Sequence, residues 1–488
     1  MSRQQKRVLI ENARYVVAYE GGQHRLLENA LVALEGNTVA YVGWERPAAV
    51  DESIDARGGL VMPGFINMHC HMNCAPNEKG FLEDRGSSKF YMSGLYEYLP
   101  VTYVSYEDEL EAYRFSVVEL LKGGTTTVFQ IDPWNQEILE TIASSGIRVY
   151  MGYGYKSGGW YTDDGNQVRY RWDEEAGKKG LRRAAELFGQ YNGAYDGRVN
   201  VALCPMQVDT CTPELLKATR EVASELGARV HIHAGQAVTE FQEIMHRHGM
   251  TPAEFLHSCG ISGPDVTYGH YIFPNDHPWC VYKGGDDLGL MAETGTSVAH
   301  CPWVFGRRGI IMESFDRYLR RGVNMCLGTD TFPQDMVAEM RWAAVLSKVA
   351  EGDPQRGTAA QAFNAATLGG AKALGRDDLG RICSGAKADI VIADCDTMLM
   401  RPLRDPIKAF IYTGGSRVIR TVIVDGQVLV ADGAVVGADE VELWSKIQQV
   451  GDRMLANVPN RDWAQRTHLE MSPMSFPTVA PPAGSAGE

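Results

Sequence analysis

The sequence lacks the features that would point to a membrane, a nucleic acid or a disulfide scaffold. It contains no run of about 18 apolar residues, so no membrane-spanning helix is expected. It has no long Lys/Arg run, and acidic residues outnumber basic ones 61 to 47, a formal net charge of −14. That balance argues against nucleic acid or an anionic membrane as a partner. The ten cysteines include no CxxC pair, and several sit inside apolar runs such as Met325-Cys326-Leu327. In a chain of this size they read as reduced thiols packed as small hydrophobes. The N-terminal MSRQQKRVLIENARYVV has no apolar stretch of signal-peptide length, and the expected location is cytoplasmic.

The 488 residues have ordinary globular composition, 44% hydrophobic and 22% charged. That length exceeds a single barrel-sized domain and predicts something extra. Residues 1–60 read as short strands (Val8–Ile10, Tyr15–Ala18, Ala30–Leu34, Val39–Val42) separated by turn signals such as Glu35-Gly36-Asn37. From 61 to 379 the rhythm changes. Eight apolar runs (Gly64–Met68, Thr125–Ile131, Ile147–Tyr153, Val199–Cys204, Val230–His233, Val266–His270, Ser297–Ala299 and Val323–Leu327) alternate with helical patterns such as Glu109–Leu121, Pro213–Leu226 and Asp335–Val349. This alternation predicts an α/β fold, a parallel (β/α)8 TIM barrel, with a doubly wound open sheet as the rival. Residues 380–437 return to strands at Ala388–Ile392, Ala409–Tyr412 and Arg417–Val424, and are expected to join 1–60 as one discontinuous β-sandwich domain. Residues 438–488 read as a helix over 440–457, then a Pro-, Ala- and Gly-rich tail over 472–488, extended or disordered.

The chemistry concentrates at the ends of the apolar runs. His69 and His71 close the first run, and side chains at i and i+2 of a strand share a face, so both can reach one metal ion. His233, His270 and Asp330 end later runs, recurring about once per βα unit. In a barrel those ends form the active-site face. Three imidazoles and a carboxylate suit a zinc or iron ion. Ten of the twelve histidines fall between 69 and 300, although His246, His248, His257 and His277 read as surface or loop residues.

These motifs resemble the amidohydrolase superfamily, in the branch of cytosine and guanine deaminases and triazine hydrolases. Further points of likeness are the lead-in Gly59-Leu60-Val61-Met62-Pro63-Gly64-Phe65-Ile66-Asn67, the stretch Gly123-Gly124-Thr125-Thr126-Thr127-Val128, and the returning segments Gly385-Ala386-Lys387-Ala388-Asp389-Ile390-Val391 and Val424-Asp425-Gly426. The resemblance implies that His69, His71, His233 and Asp330 hold one divalent metal ion, zinc before iron, manganese or cobalt. It implies that Asp330 also takes the proton from water, whose pKa a metal lowers toward about 7. It implies that His270 contacts substrate or water, and that it could itself be a ligand. Binuclear relatives use a Lys on strand four, and the run Val199–Met206 has none, so one metal is expected. The resemblance also implies a homo-oligomer, a dimer or larger.

Two departures shape the functional expectation. The deaminase branch carries Glu three residues after the strand-five His, where this chain has Gln236, and a carboxamide cannot act as an acid. Gln236 is therefore a candidate catalytic residue of altered role, with Glu240 as a substitute only if its loop re-aims it. After strand seven the chain reads Cys301-Pro302-Trp303-Val304-Phe305, and Met206 stands where deaminases commonly show a His. Trp134, Met206, His270, Trp303 and Phe305 are the expected substrate contacts. The aromatic loop of Phe81, Phe90, Tyr91, Tyr96, Tyr98 and Tyr103 reads equally as packing or as a lid over a hydrophobic small molecule. His231 reads as packing, His300 as structural or pocket-lining, and Arg307 and Arg308 as surface charges that could instead recognise an anion. The expected activity is metal-dependent hydrolysis of an amide, urea or carbamate-like C–N bond. The alternative is a hydrolytic deaminase or dechlorinase of a triazine, pterin or purine. A catalytically dead scaffold is disfavoured because the whole ligand set is present.

Overall fold

The eight apolar runs all become strands of one sheet in the computed structural model, which describes residues 6–479. They span Phe65–Cys70, Thr125–Ile131, Arg148–Tyr155, Val199–Pro205, Val230–Ala234, Val266–His270, Ser297–His300 and Asn324–Leu327. They lie side by side in chain order and pair in parallel. The first and last strands meet at the ends that matter: Asp330 N donates to His69 O at 2.8 Å, and His71 N donates to Asp330 O at 2.7 Å. The barrel therefore closes through the backbone of the candidate site. Almost every strand residue is buried, as parallel strands covered by helices require.

Local signals set the helices. Thr212 caps Pro213–Leu226 by accepting from Leu215 N, Pro213 occupies the first turn, and the helix ends at Gly227 with φ +64°. The helix Glu174–Tyr191 escaped the sequence pattern. Its glycines 177 and 180 read as helix breakers, but they are the points where its backbone presses on Ser157 and Tyr155.

The terminal segments form the second layer. A seven-stranded sheet combines Tyr15–Glu20, Gln23–Glu28 and Leu60–Pro63 with Ile390–Ala393, Ile419–Val424, Gln427–Ala431 and Ala434–Val435. A four-stranded sheet of N-terminal strands packs on it through Ile10, Val16, Val32, Val61, Ile390 and Ile423. This is the β-sandwich of chain ends that the sequence predicts. One strand expectation fails. Ala409–Tyr412 is helical, within the turns Pro406–Ala409 and Phe410–Gly414, because Asp405 caps Ile407 N and Lys408 N. A short buried apolar run does not distinguish helix from strand. The predicted C-terminal helix runs longer, Glu440–Arg461, and residues 480–488 of the expected tail lie outside the described residues. No helix of the described residues is long and apolar enough to cross a membrane.

Candidate metal centre

His69 stands at the centre of the strand ends because two neighbours have no side chain. A Cβ at Gly269 would lie 2.7 Å from His69 Cε1, and one at Gly328 would lie 2.6 Å from His69 Cβ. Only glycine lets strands six and eight approach this ring. His69 is fully buried, and its Nδ1 shares a 2.8 Å hydrogen bond with His231 Nε2. His71 points its Nδ1 at Asp132, 3.2 and 3.3 Å from the two carboxylate oxygens. His233 Nδ1 donates to the Met206 carbonyl at 2.5 Å. Each of the three imidazoles is thus fixed through Nδ1, leaving Nε2 free toward one point.

The free atoms converge. His71 Nε2 lies 3.1 Å from His233 Nε2. Asp330 Oδ1 lies 3.5 Å from both His69 Nε2 and His71 Nε2. His69 Nε2 is buried with no hydrogen-bond partner among the described residues. Candidate ligand atoms of His69, His71 and His233, and of His69, His270 and Asp330, fall within 4.8 Å of one another. Two imidazole lone pairs at 3.1 Å repel unless a cation lies between them, either a proton or a metal ion. The donor set fits a divalent ion with nitrogen and oxygen preference. Both His270 and Asp330 have positive φ, +74° and +59°. Backbone held in that region by non-glycine residues is strained, as is common where side chains are aimed at a site.

The electrostatics follow the same geometry. Burial and the neighbouring imidazoles push His69 well below its usual value and His233 down to about 3. His71 goes the other way: burial would lower it, but the Asp132 carboxylate raises it to about 9. Burial would raise Asp330, but His270, His71 and His233 together hold it below the usual carboxylate range.

A cavity opens from this cluster. Met206, Phe305, Val304, Leu95, Leu99 and Ile310 give it apolar walls. Gln236 lines it together with Gln207, to which its Nε2 donates. His270 lies on the same wall, its ring centroid 4.7 Å from that of Phe305. Of the expected substrate contacts, Met206, His270 and Phe305 line the cavity and two residues do not. Trp134 packs edge-on against Tyr153 and Tyr191, and Trp303 packs on Trp342. Both follow strand ends, but their rings turn toward the surrounding helices. Glu240 is buried outside the cavity, where it accepts from Gly235 N at 2.5 Å. His300 stacks on Phe315 away from the cluster. In the aromatic loop Phe81, Phe90 and Tyr96 are buried, whereas Tyr103 reaches the cavity.

Sequence reasoning missed Asp132, Gln207 and Glu78, and misread His231. Asp132 directly follows the apolar run Thr125–Ile131, the same strand-end signal that marks His270 and Asp330. His231 shares the inward face of His233, which leaves an orienting role open as much as packing. Glu78 sits in a short 3-10 turn, Ala75–Glu78, with no such signal.

A barrel that gathers imidazoles and a carboxylate at its strand ends is the constellation of a hydrolase that works with a metal ion. The family model "Amidohydrolase family" matches residues 60–429, and the chain belongs to that family and is a hydrolase acting on carbon–nitrogen bonds other than peptide bonds. It is 27% identical over 455 residues to the 5′-deoxyadenosine deaminase of Methanosarcina mazei, covering 92% of this chain and 99% of that one. It is 32% identical over 392 residues to the 5-methylthioadenosine/S-adenosylhomocysteine deaminase of Natronomonas pharaonis, covering 79% and 84%. Among solved structures, an adenosine deaminase from Xanthomonas campestris with bound zinc superposes with a TM-score of 0.78 at 25% identity, over 92% of this chain and 98% of that one.

Proposed function

We propose that the protein hydrolyses an aromatic nitrogen heterocycle of purine or triazine type, releasing an amino or comparable group from a ring carbon. The observation that carries this reading is a cavity with apolar faces, Met206 and Phe305 among them, and a carboxamide pair, Gln207 and Gln236, beside His233 and Asp330. Such a cavity takes a flat ring and offers hydrogen bonds to its edge. The deaminase relatives act on rings of this kind by their names.

His69, His71, His233 and Asp330 would hold one divalent ion, zinc before iron, manganese or cobalt. Such an ion, when bound, acidifies water and polarises the group under attack. Asp330 takes a proton from the attacking water and returns it to the departing nitrogen. Water oxygen bonds to the ring carbon, the C–N bond breaks, and the products are an oxo-heterocycle and ammonia or an amine. His270 contacts the water or the substrate. Gln236 donates an N–H to a ring nitrogen, and Gln207 fixes its orientation. The same reading makes the protein a cytoplasmic homo-oligomer acting on a small molecule, with domain boundaries near 60, 379 and 437.

One observation favours a second reading, in which an amide, urea or carbamate-like carbonyl is cleaved. Gln236 stands where an acid would protonate the ring, and an acyl carbonyl needs no such acid. Ammonia release separates the two. Metal-loaded protein should release it from aminopurine nucleosides or aminotriazines. Turnover of aryl amides and ureas alone would transfer the assignment to the second reading.

A further inference from the structure

Arg308 is not a surface charge. Its side chain lines the cavity, and its Nε is buried without a hydrogen-bond partner among the described residues. Burial lowers its pKa only to about 10, so it stays cationic at neutral pH. The aromatic loop passes close to the guanidinium: a Cβ on Gly94 would lie 3.4 Å from its Cζ. A buried cation without a counter-ion is costly. Among the described residues no carboxylate pairs directly with it: Glu78 and Asp330 line the same cavity and attract it, but neither forms a hydrogen bond or ion pair with it. Glu78 is fully buried, and neither of its carboxyl oxygens has a partner among the described residues. Burial raises that carboxyl to about 7 despite Arg307 and Arg308 nearby. A further unpaired donor, Thr331 Oγ1, lies next to Asp330 on the same wall. The cavity thus holds the reacting groups and, among the same lining residues, a guanidinium whose buried Nε is unsatisfied, together with apolar side chains.

We propose that the substrate carries a carboxylate, and that Arg308 seats it while the ring lies between Met206 and Phe305. A guanidinium pairs with a carboxylate through two parallel hydrogen bonds, which fixes the ligand's orientation as well as its affinity. This proposal rests on the reading of the cavity as the substrate site and adds the substrate's charge to it. The other cation on the cavity wall, Lys156, is exposed and close to the Trp160 ring, 5.9 Å from its centroid. It serves as the internal control.

The test is calorimetric titration of the metal-loaded, full-length protein with two matched pairs: adenosine-5′-carboxylic acid against its carboxamide, and benzoate against benzamide. The acid of at least one pair should bind about tenfold or more tighter than its amide, the scale of a charge-assisted hydrogen bond. That advantage should fall below about twofold in Arg308→Met, persist in part in Arg308→Lys, and survive in Lys156→Met. Thermal melting of each variant checks that it folds. An acid that binds no better than its amide in both pairs would overturn the proposal. So would an advantage that survives Arg308→Met, since the carboxylate would then be seated elsewhere. If only the benzoate pair shows the Arg308-dependent preference, the carboxylate subsite stands and the purine reading falls.

Discussion

Replacing Asp132 by Asn tests how the second ring of contacts tunes the metal centre, and its effect depends on pH in a way that can be worked out. Asp132 does two opposing things to His71. Its hydrogen bond to Nδ1 orients the ring and makes Nε2 a better donor, and loss of such a partner costs about 10- to 100-fold in metal affinity. Its charge also lifts the His71 pKa to about 9, so below that pH a proton occupies the position the metal needs. At about pH 7.5 that competition weakens apparent affinity by about thirtyfold, the antilogarithm of the gap between pKa and pH. Asp132→Asn removes the support and the largest of the charges that hold the competing proton, leaving the weaker pull of Asp330 and Glu78. Near pH 7.5 the two effects nearly cancel, and the variant should bind zinc within severalfold of the wild type. Above about pH 9 only the lost support remains, and the variant should fall about 10- to 100-fold behind. Chelator competition at the two pH values measures both affinities. Titration in buffers of different ionisation enthalpy should show about one proton released per metal by the wild type near neutrality, and fewer by the variant. A deficit that is the same at both pH values, or larger at the lower one, would refute the reasoning.

Three further predictions follow from the same geometry. Arg148→Met removes the guanidinium 3.1 Å from Asp389 and 2.9 Å from Asp425, leaving buried Asp389 without an ion-pair partner and Asp425 with Lys387 alone at 3.7 Å, and should destabilise the fold by about 3–5 kcal/mol in urea unfolding. The loss arises at the junction of barrel and sandwich, so the metal content of the folded fraction should not change. Trp134→Phe should leave KM within about twofold, because Trp134 packs behind the cavity against Tyr153 and Tyr191; a larger change would return it to the substrate contacts. Gln236→Glu should raise kcat/KM for an aminoheterocycle by about tenfold or more and add a limb to the pH–rate profile. Complete loss of turnover would mean that the carboxamide itself is required.

The sequence carries much of this arrangement, and the gaps have physical causes. Barrel strands are buried on both faces, so they stand out as apolar runs, and their ends are marked by His or Asp at regular spacing. Hence His69, His71, His233, His270 and Asp330 stand out in the sequence, and the fold brings them together. Orientation was not legible. Trp134 and Met206 both follow strand ends, yet one ring turns outward while the other side chain lines the cavity. Asp132 and His231 act through contacts with residues on other strands, 61 and 162 positions away in the chain, and local spacing cannot report those. Arg307 and Arg308 read in the sequence as two adjacent surface charges, and the cavity that Arg308 lines is shared with residues of the distant aromatic loop, which leave no local trace.

Elemental analysis of the purified, zinc-equilibrated protein tests the central claim most directly. The account predicts about one zinc per chain, lost when His71 and His233 are both replaced by Ala. Two metals per chain, or none, would contradict a mononuclear centre built from His69, His71, His233 and Asp330.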